Sequence, residues 1–269
     1  MSPTATIPFA LVALAYLLAG LTYAAAVYDR AWKGTAAWLA RLALLIHTLA
    51  LAAQAWQAGT LFATLFDTIL FLTWVIMVLY VLADQFWQVD SVGVFLVPMV
   101  ILLLLSALAV PRGPASEIPG FSAARAMWHV FVAVLSYGLF TLACMTSTLY
   151  LVQEKQLRRK EFRLAFQRLP SLESLDLLGF RLVLAAFPLL TLAMITGYIW
   201  AREAWRQGYQ WDVKLIWTEV TWLIYGGYLV ARALGWRGRR AAQWLIAGFF
   251  LVLVNYFAIN IFFTRWHGF

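Results

Sequence analysis

Charge is scarce in this chain. Asp, Glu, Lys and Arg make up 12% of its residues, about half of what a soluble domain carries, which excludes a globular protein wetted on all sides. Cysteine is nearly absent. The one thiol, Cys144, sits within an apolar run and reads as a small packing residue, so there is no intrachain disulfide and no CxxC redox or zinc motif. Histidine is almost as rare, with 3 in 269 residues. Residues 1–6 carry no Lys or Arg, and the apolar run over 7–27 is too long for the h-region of a cleaved signal, so it reads as a first membrane span. No internal repeat is visible.

What the chain has instead is apolar length. Hydrophobic residues account for 64% of it, 14 of them Trp, and mean hydropathy is +0.81. Runs long enough to cross a bilayer recur over 7–27, 36–56, 64–83, 92–110, 127–153, 178–201, 214–234 and 241–263. Lipid offers the backbone no other partner, and no β-barrel sequence has such uninterrupted runs, so the spans are helical. The expected fold is an all-α integral membrane protein, a bundle of about eight transmembrane helices forming a single domain over 1–269.

Lys and Arg set the orientation. With both termini on the outer side, only Arg112, Arg125, Arg202, Arg206, Lys214 and Arg265 of the 20 basic residues face outward, which is the positive-inside bias of a multi-pass protein of the bacterial cytoplasmic (inner) membrane. The net charge of +8 is accounted for by those inner loops, and no nucleic acid is implied. The outer loop 111–126 is rich in Pro and Gly and reads as irregular. The inner loop 154–176 begins EKQLRRKEFRLAFQRL and reads as a helical extension of the fifth span along anionic headgroups.

Polar groups inside apolar sequence are costly unless paired or used. The stretch 208–232, GYQWDVKLIWTEVTWLIYGGYLVAR, opens as a polar, Trp-bearing loop and turns apolar while still carrying Asp212, Lys214 and Glu219. His129 opens the fifth span and His267 follows the eighth, on the same outer side. A neutral imidazole ligates haem and transition metals well, and two histidines beside a Trp-rich loop suit a flat aromatic cofactor. A packed, hydrogen-bonded side chain is the alternative for each. His47, at mid-depth in the second span, is expensive to leave without a partner.

The order of these features resembles the cytochrome c assembly family, haem-handling membrane proteins of the CcsA, ResC and CcmC type. The segments that carry the resemblance are LFDTILFLTW (65–74), WHVFVAVLSYGLF (128–140), LPSLESLDLLGFRLVLAAFPLLTLAMITGYIWA (169–201), WDVKLIWTEVTWLIYGGYLVAR (211–232), GWRGRRAA (235–242) and NYFAINIFFTRWH (255–267). It implies haem b, bound without a covalent link, with His129 and His267 as axial ligands to the iron. Trp205, Tyr209, Trp211 and Asp212 would form the platform of a tryptophan-rich motif, and Arg206, Lys214 and Arg265 are candidates for the propionates by position. Val230 stands where the family carries a histidine in a YLHxR context, so the implied site is the outer one. In size and departures the chain is closest to the shorter HemX and YpjD types.

The implied function is haem binding, handling or transport for cytochrome c-type biogenesis, as a non-catalytic component of a cytochrome c synthetase (haem lyase) system. The implied partners are the lipid bilayer, apocytochrome c and a ResB-like subunit. The alternative within the family is a HemX-type accessory or regulator of haem biosynthesis or supply. A reading from another class is a small-molecule or ion transporter in which His47, Asp67 and Glu219 form an intramembrane polar relay; the plainer role for Asp67 and Glu219 is hydrogen bonding between helices.

Overall fold

The computed structural model describes residues 7–62, 64–87, 89–109, 123–160, 170–204 and 213–259. Among these, all regular structure is helical: α1 (Ile7–Tyr28), α2 (Trp32–Ala58), α3 (Leu65–Trp87), α4 (Gly93–Ala109), α5 (Ala123–Arg158), α6 (Leu172–Ala204), α7 (Val213–Ala233) and α8 (Arg239–Leu253), the last running into a π-turn over Val254–Ile259. Each of the eight expected spans has a helix. Five of them, α1, α2, α3, α5 and α6, contain stretches long and apolar enough to cross a membrane. The others differ for visible reasons. α4 has 17 residues, about 26 Å at 1.5 Å per residue; α7 carries Lys214, Glu219 and Arg232; α8 has 15 residues before the π-turn.

The fifth span outruns its expected end at 153. α5 has 36 residues, and the EKQLR sequence that begins the inner loop continues the helix, with Arg158 and Glu154 paired at 2.7 Å one turn apart. That supports the extension as far as Arg158; residues 161–169 lie outside the described residues.

Burial sorts the helices. In α3 and α5, 72% of the most apolar window is buried within the protein, against 22% in α1, 33% in α2 and 28% in α6. α3 and α5 are therefore the central helices, and the other three turn most of their surface to lipid. α5 packs against α3 on one side and against α6 and α8 on the other, joining the group α1–α4 to the group α6–α8.

Small residues let the first group close up. Ala36, Ala40, Ala43 and Ala50 are buried along one face of α2, opposite Val12, Tyr16, Ala19 and Tyr23 of α1. Lipid is as apolar as leucine, so close van der Waals approach and interhelical hydrogen bonds hold such pairs together. Indole N–H groups supply several of those bonds: Trp74 to the Thr48 hydroxyl at 2.9 Å, Trp222 to the Thr191 hydroxyl at 2.9 Å, Trp217 to the Leu251 carbonyl at 3.1 Å and Trp244 to the Ile224 carbonyl at 3.1 Å. They lock α2 to α3, α6 to α7 and α7 to α8.

Candidate functional site

His129 lies one and a half turns into α5, half-buried against α6. Its Nδ1 is 3.0 Å from the Thr196 hydroxyl oxygen, and that hydroxyl also lies 2.9 Å from the Leu192 carbonyl and 3.0 Å from the Ala193 carbonyl of its own helix. A threonine hydroxyl has one proton. If that proton goes to the α6 carbonyls, the Thr196 oxygen accepts from Nδ1, which then carries the ring hydrogen and leaves the lone pair on Nε2. This is the tautomer fixed in metal-binding histidines by a hydrogen bond to the other ring nitrogen.

Gly197 makes room for the ring. A Cβ at that position would stand 2.9 Å from His129 Cε1, closer than a carbon can sit, so any other residue would push the imidazole or α6 aside. Neither Thr196 nor Gly197 was singled out in the sequence, although both fall in the quoted segment 169–201. Their relation to His129 spans 67 positions, and a glycine in an apolar run was the one available signal.

Aromatic rings run from the same turn of α5 toward α3. Trp128, 54% exposed, stacks on Phe131 at 6.1 Å; Phe131 meets Phe71 of α3 at 6.1 Å, and Phe71 stacks on Trp74 at 5.5 Å. The exposed Trp128 and Phe131 rings offer flat apolar faces on the α3 side of α5, while His129 packs on its α6 side.

The α6–α7 connection and the chain after the π-turn begin at this end of the bundle. Thr196 is eight residues before the end of α6, about 12 Å along the axis. α7 starts at the same end, because Trp217 reaches Leu251 and Thr218 meets Asn255 in the π-turn. The Asn255 Nδ2 also reaches the Tyr137 hydroxyl of α5 at 3.3 Å. The chain past residue 204 and the chain past residue 259 therefore leave from the end that holds His129. Trp205, Arg206, Tyr209, Trp211, Asp212, Arg265 and His267 themselves lie outside the described residues, as does the side chain of Lys214 in the first turn of α7.

The three intramembrane candidates fall in two places. His47 is fully buried between α1 and α3, its Nδ1 3.2 Å from the Tyr16 hydroxyl, and its Nε2 has no protein partner in hydrogen-bond geometry. Asp67 is at the start of α3. One carboxylate oxygen accepts from the Thr64 amide at 2.9 Å and the Thr64 hydroxyl at 2.8 Å, while the Asp67 amide donates to that hydroxyl at 3.3 Å. This reciprocal arrangement is a capping box. The other oxygen accepts from Gln54 of α2. Glu219 is exposed on α7, in the other helix group, so a relay through all three residues would have to cross from one group to the other.

At the opposite end, Arg232 of α7 grips Asp176 of α6 at 2.9 and 2.8 Å. The Gly238 amide donates to the same carboxylate at 3.0 Å, and the guanidinium lies 4.8 Å over the Phe180 ring. Gly238 has φ +68°, the left-handed region that favours glycine, which turns its N–H toward Asp176. Tyr225 and Tyr228 occupy the same inward face of α7 as Arg232 and are buried, with Tyr225 stacked on Phe140 at 3.7 Å. Val230 faces outward, 60% exposed.

Residues 62–267 match the model of the Cytochrome C assembly protein family. The chain is 31% identical over 250 residues to a cytochrome c biogenesis protein CcsA of Synechococcus sp. (strain CC9902), covering 83% of this chain and 82% of that one. It is 31% identical over 218 residues to the CcsA protein of Guillardia theta, covering 74% and 72%, and 28% identical over 263 residues to that of Parasynechococcus marenigrum (strain WH8102), covering 88% and 86%. No solved structure matches the chain.

Proposed function

Because the chain belongs to the cytochrome c assembly protein family, we propose that it binds haem at the end of the bundle that carries His129 and hands it on for cytochrome c maturation. One observation carries the reading: the Thr196 hydroxyl and the space left by Gly197 seat the His129 imidazole at a fixed position at this end of the bundle. The donor set fits haem, since a neutral imidazole is a good iron ligand and the exposed ring of Trp128 precedes it on the same helix. His267 supplies the second axial ligand. Trp205, Tyr209, Trp211 and Asp212 form the platform, and Arg206, Lys214 and Arg265 meet the propionates. Haem b brings the iron and the vinyl groups that are joined to the thiols of apocytochrome c; the residues of this chain hold and orient it.

In this reading both termini face outward and the protein works in the bacterial cytoplasmic membrane, with a ResB-like subunit supplying the soluble outer region. The test is holocytochrome c formation in a host deprived of its own assembly system. Co-expression with a ResB-like subunit is expected to restore holocytochrome, and His129→Ala is expected to abolish it. A HemX-type accessory role is the second reading, favoured by Val230, which faces outward and cannot ligate iron. It predicts no holocytochrome from the wild type but altered cellular haem content on deletion.

A further inference from the structure

At the end of the bundle away from His129, the first four turns of α6 and the last two turns of α7 leave a cleft of about 400 Å³ between them, within the range of small-molecule sites. Its character changes along its length. Leu184, Phe180 and Leu177 of α6 face Leu229 of α7 in the deeper part, and Asp176, Glu173, Arg232 and Arg237 surround the mouth. Leu184 is 52% exposed, so the apolar part opens sideways to the bilayer. The charged mouth sits at the helix ends, where a bilayer places its headgroups.

The charges at the mouth are not equivalent. Asp176 and Arg232 are consumed by each other, with side chains 15% and 7% exposed, and Asp176 also holds the Gly238 amide. They form a closed, neutral floor. Glu173 and Arg237 are exposed and remain as one carboxylate and one guanidinium above an apolar slot. A purely anionic headgroup would meet Glu173 as a like charge. A headgroup with an amine and a phosphate would satisfy both.

We propose that this cleft is a site for a phospholipid with a zwitterionic aminophosphate headgroup. The ammonium lies at Glu173, the phosphate at Arg237, and the upper part of one acyl chain lies on Leu177, Phe180, Leu184 and Leu229. The inference is independent of the haem reading, because no residue of the His129 seat takes part. A bound lipid would wedge α6 against α7 next to their ion pair and fix the position of that end of the bundle in the headgroup region.

Native mass spectrometry of the full chain, stripped of lipid in detergent and offered equimolar phosphatidylethanolamine and phosphatidylglycerol, tests the site. The expected result is preferential retention of phosphatidylethanolamine. Arg237→Gln lowers retention of both lipids about fivefold, the scale of one basic residue at a headgroup. Glu173→Gln removes the preference by relieving the repulsion of phosphatidylglycerol. Both residues are exposed, so the variants leave the packing intact. Equal retention of the two lipids by the wild type, undiminished retention in Arg237→Gln, or an unchanged ratio in Glu173→Gln overturns the proposal. Displacement of the lipid by added haem in the His129→Ala background would assign the cleft to haem instead.

Discussion

A threonine hydroxyl has a single proton to give, and in Thr196 the helix claims it. A proton so directed leaves the oxygen as an acceptor toward His129 and favours the tautomer with hydrogen on Nδ1. Thr196→Val keeps the shape and removes the acceptor, which commonly costs 10- to 100-fold in affinity at a metal-ligating histidine. About tenfold weaker haem retention is expected on titration of the purified protein with haem, with an unchanged far-ultraviolet circular dichroism spectrum. Gly197→Val should act more severely, because its side chain would occupy the space of the imidazole. Full retention in both variants would mean that haem does not depend on His129. His129 stood out in the sequence because histidine is scarce there and this one opens an apolar span. Its supports were not, since the helix that carries them lies 67 positions away. Asp67 shows a signal that was present in the sequence and put to another use. Thr64-Leu-Phe-Asp67 ahead of an apolar run is a capping-box pattern, and the structure finds that carboxylate capping α3 and tied to Gln54.

Among the elements, the positions of the helices were readable from apolar length alone, because lipid forces each long run to satisfy its own backbone. What that length could not give was rank. α1 and α3 look alike in composition, yet one is mostly lipid-facing and the other mostly buried; the difference lies in which neighbours cover them. The pairing of Asp176 with Arg232 was equally hidden, since residues 56 positions apart meet only after α6 and α7 dock. Because the Arg232 side chain is 7% exposed, removing its partner strands a buried charge. Asp176→Ala should therefore destabilise the bundle by about 3 kcal/mol, as when a buried pair is broken. Arg158→Ala, which removes a side chain 67% exposed from its pair with Glu154, should cost about 1 kcal/mol or less. Thermal unfolding in detergent compares the two, and equal losses would show that the Asp176 ion pair is not a structural clamp.

For the whole molecule, two ends with different chemistry face each other across the bundle. One holds the histidine seat, a run of aromatic rings and the starting points of the chain beyond 204 and beyond 259; the other holds the Asp176–Arg232 clamp and the cluster Arg237, Arg239 and Arg240. In the proposed orientation, which follows the positive-inside tendency of Lys and Arg, the second end faces the cytoplasm. Ser171→Cys in a Cys144→Ala background is therefore expected to react with a membrane-impermeant thiol reagent in inverted vesicles and not in intact cells or spheroplasts. The reverse pattern would place the haem end inside. The central claim, that the seated His129 and the distal His267 hold one haem between them, is tested most directly by the absorption spectrum of the purified protein. The account predicts the Soret and visible bands of a six-coordinate low-spin bis-histidine haem, lost or converted to a high-spin form in His129→Ala and in His267→Ala alike and retained in His47→Ala. A wild-type preparation that is colourless and takes up no added haem, or one whose low-spin spectrum survives both outer substitutions, would contradict it.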